Sequence, residues 1–348
     1  MPSRNQKNKG MVWDFWQRMN HVEVENAPRV IRNAFHEDVD WNGSHPINQL
    51  RGTAALIARF WEPLRRAFPD LKRNVHIFMG GLSGGEAWVS GLGYFSGTFW
   101  QNWLDIPATG QKTTIPFGQF YLMREGKIAE SFVILDLLAV MRQAGYQVLP
   151  PSLGAEGGNV AAPHTRDGVL LTAQDALETR QTGQLVEAMI RGLLRYDRRA
   201  GIESMEQTHY WHPQMHWYGP TGIGSCFSFA EYEDFQLRPW MTSFGEWPDL
   251  AVGDGRVIGL AEGDYLAEGK YASLGVWDAP FSIHHREYLG VPATGKLLTM
   301  RDFDWYRREG NRLAQNWIPI DMIDLFMQMD VDLFGRMRHQ IETRRSDV

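Results

Sequence analysis

The chain contains the same passage twice. Leu104-Asp105-Ile106-Pro107-Ala108-Thr109-Gly110 returns as Leu289-Gly290-Val291-Pro292-Ala293-Thr294-Gly295, and Met123-Arg124-Glu125-Gly126 returns loosely as Arg307-Arg308-Glu309-Gly310. Each copy then enters an apolar stretch holding one acid. The spacing from Gly110 to Asp136 and from Gly295 to Asp321 is 26 residues in both cases. A period of roughly 185 residues is far longer than the ~20–50 residues of a stacked repeat, so each copy should be a complete domain. Function then has to be read from how the copies differ.

Two domains agree with the length of 348 residues, at about 150 residues each. The expected division is 1–150 for the first domain, 151–170 for a breaker-rich linker and 171–348 for the second. A net charge of −6 without a basic run argues against a nucleic-acid partner. One cysteine, Cys226, cannot form an internal disulfide, and no apolar run approaches the roughly 18 residues of a membrane span. The polar N-terminus lacks a signal-peptide core, and the expected location is cytoplasmic. The chain carries 14 Trp, more than cores of this size ordinarily use, so some of them are candidates for a pocket.

Helical periodicity is visible from Trp13 to Met19, Ala27 to Phe35, Thr53 to Phe68 and Leu185 to Tyr196. Alternating or apolar runs predict strands at Trp88 to Phe95, Thr98 to Leu104, Lys112 to Met123 and Ile128 to Leu135, with counterparts between Tyr271 and Ile320. A short helix follows each acid. Helices first and a meandering sheet afterwards give an α+β class, with helices on one face of a curved antiparallel sheet.

Several of these segments carry a family resemblance. Trp41-Asn42-Gly43, Leu50-Arg51-Gly52-Thr53, Phe68-Pro69-Asp70, Ile106-Pro107-Ala108-Thr109-Gly110, Arg124-Glu125-Gly126-Lys127-Ile128 and Asp136-Leu137-Leu138 together resemble the SnoaL-like polyketide cyclases of the NTF2-like superfamily. The second copy keeps Trp217-Tyr218-Gly219, Trp247-Pro248-Asp249, Val291-Pro292-Ala293-Thr294-Gly295 and Asp321. It lacks the Leu-Arg-Gly that leads into the second helix, which is expected here around Phe229 to Phe244. The resemblance implies two cone-shaped α+β barrels, each with a pocket between sheet and helices. It also implies an aspartate serving as acid and base in an aldol closure, with no metal or cofactor. Domains of this superfamily often pair through their sheets, so the tandem would supply such a pair within one chain, and a further homodimer remains open.

The chemistry can be argued from the residues alone. Removing a proton beside a carbonyl needs a carboxylate whose pKa is raised by an apolar cavity, with a hydrogen-bond donor at the developing oxyanion. Asp321 lies between Pro319-Ile320 and Met322-Ile323, and Asp136 follows Phe132-Val133-Ile134-Leu135. Either acid also suits the N-cap of the helix after it.

The copies separate when their pocket candidates are aligned. His284-His285 stands opposite Phe99-Trp100, and His216 and Tyr218 stand opposite Asp40 and Asn42. In the central strand, alternation puts Asp302, Asp304 and Tyr306 on one face and Arg301, Phe303 and Trp305 on the other. One residue of slippage between Gly295 and Glu309 would invert that facing. The second copy is the richer in proton-moving groups and is expected to hold the active pocket. Asp321 is expected as general acid/base, with His284 and Tyr218 donating to the substrate oxygen and His216, Asp302 and Asp304 setting protonation. Trp217, His285, Trp305, Trp277, Tyr306, Asp136 and Asn42 are the candidates for substrate contact. His212 and His216 are four apart, but Pro213 argues against the helix that such a metal pair needs. Trp211, Trp217, Trp277 and Trp305 suit either a cation cage or an aromatic substrate. The expected substrate is a hydrophobic, aromatic or polycyclic carbonyl compound. Hydrolysis of the epoxide-hydrolase type and non-catalytic binding are the alternatives.

Overall fold

The protein is described by a computed structural model over residues 3–156, 161–245, 255–261 and 264–346. Ser3 opens the first helix because its side chain accepts from the Gln6 N–H while Gln6 bonds back to the Ser3 N–H. Helix α1 (Arg4–His21) and helix α2 (Ala27–Ala34) follow, the latter with Pro28 in its first turn, where a missing N–H costs nothing. Strands β1 (Phe35–Gly43) and β2 (Gln49–Arg51) come next. Helices α3 (Gly52–Leu56) and α4 (Glu62–Ala67) are then fused through a π-helical segment, Ile57–Trp61. Four strands complete the sheet: β3 (Lys72–Ser83), β4 (Glu86–Thr98), β5 (Lys112–Arg124) and β6 (Lys127–Leu135). Helix α5 (Leu137–Gln143) closes the half. The sheet order is β2-β1-β6-β5-β4-β3, with β1 parallel to β6.

The second half repeats this plan. It runs through helix α6 (Ala176–Leu193), strands β7 (Trp211–Tyr218) and β8 (Ser225–Cys226), and helices α7 (Phe229–Tyr232) and α8 (Arg238–Phe244) with a π segment, Glu233–Leu237, between them. Short strands β9 (Arg256–Ile258), β10 (Leu260–Ala261), β11 (Asp264–Tyr265) and β12 (Ala267–Glu268) precede the long β13 (Tyr271–Ile283), β14 (Leu297–Glu309) and β15 (Arg312–Trp317). Helices α9 (Met322–Gln328) and α10 (Leu333–Ser346) end the chain's described part. The main sheet is ordered β12-β13-β14-β15-β7-β8, with β7 parallel to β15 as β1 is to β6. The molecule is thus two cone-shaped α+β halves built on one plan.

One expectation is corrected by the backbone. Thr98 to Leu104 is not a strand: β4 ends at Thr98, Leu104 and Asp105 take positive φ of 50° and 61°, and a Trp103–Ile106 bridge closes a tight loop. The helix expected near Phe229 is present, and it opens on a cap. Ser228 accepts from the Glu231 N–H, and the Glu231 carboxylate turns back to the N–H of Phe227, a variant of the capping box. Trp247-Pro248-Asp249 and Gly157 to Asn159 of the linker lie outside the described residues.

The one-residue difference between the copies falls where it does no harm. Strands β5 and β14 both span 13 residues, and their hairpins turn on Glu125-Gly126 and Gly310-Asn311. Side-chain parity along the central strand is therefore the same in both halves.

The outer faces of the two sheets pack against each other. Phe120 meets Phe303 at 4.9 Å and Trp305 at 5.2 Å between ring centroids, Phe132 meets Trp277 at 5.5 Å, and the Ser90 and Ser273 hydroxyls are 2.9 Å apart. Gly118 permits this approach, since a Cβ there would lie 2.8 Å from Pro319 and 3.0 Å from the Trp305 ring. A buried Lys9–Glu268 ion pair adds a cross-link from α1 to β12.

The aspartates after β6 and β15 form a reciprocal pair of contacts. Asp136 caps α5 through the Ala139 N–H at 2.9 Å and accepts from the Thr221 N–H of the other half at 2.9 Å. Asp321 caps α9 through the Asp324 N–H at 3.3 Å and accepts from the His45 N–H of the other half at 2.8 Å. His45 and Thr221 each stand four residues after the paired Trp41 and Trp217. Asp321→Ala, which removes a cap and leaves the part-buried His45 N–H without its acceptor, is expected to lower unfolding stability by about 1–3 kcal/mol in urea titrations.

Candidate active site

The concave face of the second sheet and helices α6 to α8 enclose a cavity of about 260 Å³. Its walls are largely apolar, with Trp211, Trp217, Trp240, Leu237, Phe281 and Met300 prominent. Polar groups gather on strands β14 and β15, where Asp302, Asp304, Tyr306 and Asn316 line the space. Strand parity puts the two carboxyls and the phenol on one face, as alternation requires. The Tyr306↔Asn316 pairing of β14 with β15 then brings the amide beside them.

Asp304 is buried and well supported. The Asn316 Nδ2–H donates to its Oδ1 at 2.8 Å, and the Tyr306 hydroxyl is a second hydrogen-bond partner. Burial nevertheless pushes its pKa up to about 7. Asp302 keeps an Oδ1 with no hydrogen-bond partner among the described residues. Burial, and then the charge of Asp304, hold its carboxyl well above the usual range. Two carboxyls two residues apart in an apolar cavity cannot both ionise cheaply, so the pair retains a proton near neutrality, and the better-supported Asp304 is the one to lose its own first.

The raised pKa has a consequence for stability with a definite sign. A native state that binds more protons than the unfolded chain loses stability as pH rises, here from near 4, where an unfolded Asp titrates, to about 7. In urea unfolding at pH 5 and pH 8, Asp304→Asn should therefore gain stability relative to wild type at the higher pH. The scale is about 1.4 kcal/mol for each unit of pKa displacement.

The first cone is filled where the second is hollow. Arg73, 6% exposed, stacks on Trp16, Phe95 and Phe117 at 4.3, 4.5 and 4.6 Å and donates to Gln119 Oε1 at 2.8 Å. By strand register Phe117, Gln119 and Tyr121 are the counterparts of Asp302, Asp304 and Tyr306. Phe95, which pairs with Ile115, corresponds to Ala279, which pairs with Met300. Against Ala279 lies Gly255, with no side chain to play the part of Arg73. Trading a phenyl ring for a methyl, and an Arg for a Gly, empties the second cone.

Of the candidates read from the sequence, Asp302, Asp304, Tyr306 and Trp217 line this cavity. The others are placed elsewhere. Trp211, Met215 and Trp217 bury the inner face of β7, so His216 and Tyr218 point outward, where the Tyr218 hydroxyl meets His216 Nδ1 at 3.1 Å and His164 Nε2 at 3.3 Å. His284 is buried beside the Pro-Ala-Thr-Gly turn, its Nδ1 3.2 Å from the Thr294 hydroxyl and its ring against Phe244, and burial lowers its pKa. The N–H of His285 is bonded to the Ser243 carbonyl at 2.9 Å. Trp277 and Trp305 lie on the sheet-to-sheet face, and Asn42 lines a polar cleft of about 350 Å³ beside Trp277 and Arg301. Asp136 and Asp321 are the caps described above. Burial pushes Asp321 up to about 7 despite Arg301 at 3.4 Å, but it does not line the cavity.

Asn316, Tyr232 and Trp240 also line the cavity and were not singled out in the sequence. Asn316 is found only through its ladder partner, which needs the β14–β15 register. Among the described residues no group of three or more His, Cys, Asp or Glu is arranged to hold a metal, and no helix is long and apolar enough to cross a membrane.

Residues 13–144 match the family model described as SnoaL-like polyketide cyclase. No curated protein matches the chain. Among solved structures, a proposed SnoaL-like polyketide cyclase from Jannaschia sp. CCS1 is 20% identical, covering 42% of this chain and 98% of its own, with a TM-score of 0.36. IdmH, a proposed polyketide cyclase from Streptomyces antibioticus, is 16% identical over 40% of this chain and 99% of its own, with a TM-score of 0.33. AclR, a proposed hydroxylase from Streptomyces galilaeus, is 16% identical over 40% and 96%, with a TM-score of 0.34.

Proposed function

We propose that this chain, whose residues 13–144 carry the SnoaL-like match, is an acid–base enzyme working in the cavity of its second half on a hydrophobic carbonyl compound. The observation that carries the reading is an unpartnered carboxyl oxygen, Asp302 Oδ1, in an apolar cavity beside a second carboxyl already held by Asn316 and Tyr306. Asp304, ionised, is the base that takes a proton from the carbon next to the carbonyl. Asp302, protonated, donates to the carbonyl oxygen as charge develops there. Aldol closure or cleavage, isomerisation and dehydration all pass through the enolate so formed. The support for Asp302 and Asp304 is their place in the wall, which Asp321 lacks.

The test is a comparison of variants on a panel of aromatic ketones and β-hydroxy ketones. Asp321→Asn should keep turnover within about threefold of wild type, because its contacts are a helix cap and a bond to the other half. Turnover lost in Asp321→Asn with the fold intact would return the role to that residue. Hydrolysis is the second reading, favoured by the polar corner that Asp304, Asn316 and Tyr306 make, which suits a bound water. Oxygen-18 from solvent appearing in the product would identify it.

The pairing of the two sheets uses within one chain the faces through which such domains are expected to associate. In this reading the first half, with its cone filled by Arg73, serves as the partner and not as a second active site.

A further inference from the structure

The cavity's size and charge constrain its ligand more narrowly than the chemistry does. At about 260 Å³ it lies at or below the lower end of small-molecule sites, which run from roughly 300 to 1,000 Å³. Every polar group used in the argument lies on β14 and β15, apart from Tyr232 and Gln236 on the helical side. Helix α6 contributes only aliphatic and Met side chains to the wall, and the cavity-facing residues of β13 are likewise apolar. No Arg, Lys or His is among the described lining residues. An anion placed here would have two carboxyls for neighbours and no counter-charge, a costly burial.

We propose that the second cavity takes an uncharged compound of one or two rings with a hydrogen-bond-accepting oxygen at one end, bound while the Asp302–Asp304 pair holds a proton. This rests on the acid–base reading of the same site and sets its substrate class: compact neutral ketones, not tetracyclic compounds, carboxylates or phosphates. The oxygen accepts from the Asp302 carboxyl, whose Oδ1 is without a partner, and the rings lie among Trp211, Trp217, Trp240 and Phe281. The titratable groups facing the pair are Tyr306 on its own strand and Tyr232 on α7, both phenols held neutral by burial. The pair itself is consequently the only part of the described wall to change charge between pH 6 and 8. Asp304 gives up its proton first and Asp302 keeps the one it donates, so a neutral acceptor keeps its donor from pH 6 to pH 8 and its affinity changes little. An amine would instead bind more tightly as the pair gains charge.

The test is calorimetric binding to the full-length protein at pH 6 and pH 8, independent of turnover. The probes are acetophenone, 1-tetralone, a four-ring steroid ketone, 1-naphthoate and 1-aminotetralin. The expected result is saturable binding of the first two alone, with affinities within about threefold between pH 6 and pH 8. Trp240→Ala should admit the steroid ketone. The proposal is overturned if 1-naphthoate or 1-aminotetralin binds as tightly as 1-tetralone. It is equally overturned if the steroid ketone binds wild type, if ketone affinity falls about tenfold or more from pH 6 to pH 8, or if neither small ketone binds. Pronounced ketone binding without any chemical conversion would leave this inference standing and sink the acid–base reading, so the two fail separately.

Discussion

Asp302→Asn and Asp304→Asn are each expected to lower turnover roughly 10²–10⁴-fold, and the double variant is expected to be no slower than the slower single one. The non-additivity follows from the geometry. The two carboxyls share one face of β14 and one proton, so removing either removes the same device. Asn at 304 keeps the hydrogen bond from Asn316 only by rotating its amide oxygen toward Nδ2, and it can no longer take a proton. Steady-state kinetics with circular dichroism to confirm folding provide the check. Losses that multiply in the double variant would mean two independent sites of action.

Trp305→Ala is expected to cost about 3–5 kcal/mol of unfolding free energy. Trp305 is 0% exposed and sits where the two sheets meet, against Phe120 and Phe303, with its Nε1–H 3.3 Å from the Ser90 hydroxyl. Truncation would leave a void in a face that Gly118 keeps tightly closed, and would orphan part of the Ser90–Ser273 hydroxyl pair. Because Trp305 points away from the cavity, turnover per folded molecule should change little. Urea unfolding monitored by fluorescence and by far-UV circular dichroism measures the first quantity. A loss under 1 kcal/mol would mean that the sheet faces are not what joins the halves.

The repeat and the α+β class were legible because motif spacing and period-2 alternation are local signals, whereas the pairing of the halves through their sheets was expected only from the family resemblance. The same alternation placed Asp302, Asp304 and Tyr306 together, and equal lengths of β5 and β14 preserved it. Where the other candidates lie also has physical reasons. His216 and Tyr218 look reactive in the sequence, but Met215 and Trp217 supply the apolar face that the core takes, and their neighbours are turned out. Asp321 looks like a carboxylate in an apolar pocket because its sequence neighbours are apolar. The groups that explain it are the backbone N–H of His45, 276 residues away, and the side chain of Arg301. The surplus of Trp had a similar answer. Trp88, Trp277, Trp305 and Trp317 belong to the buried face between the sheets, which no single-domain pattern announces.

The central claim is that protons move through Asp302 and Asp304, and deuterium incorporation into 1-tetralone in heavy water, followed by NMR, tests it most directly. Wild type and Asp321→Asn should exchange the hydrogens next to the carbonyl at similar rates, and Asp304→Asn should exchange them no faster than buffer. Exchange that survives in Asp304→Asn and disappears in Asp321→Asn would contradict the account.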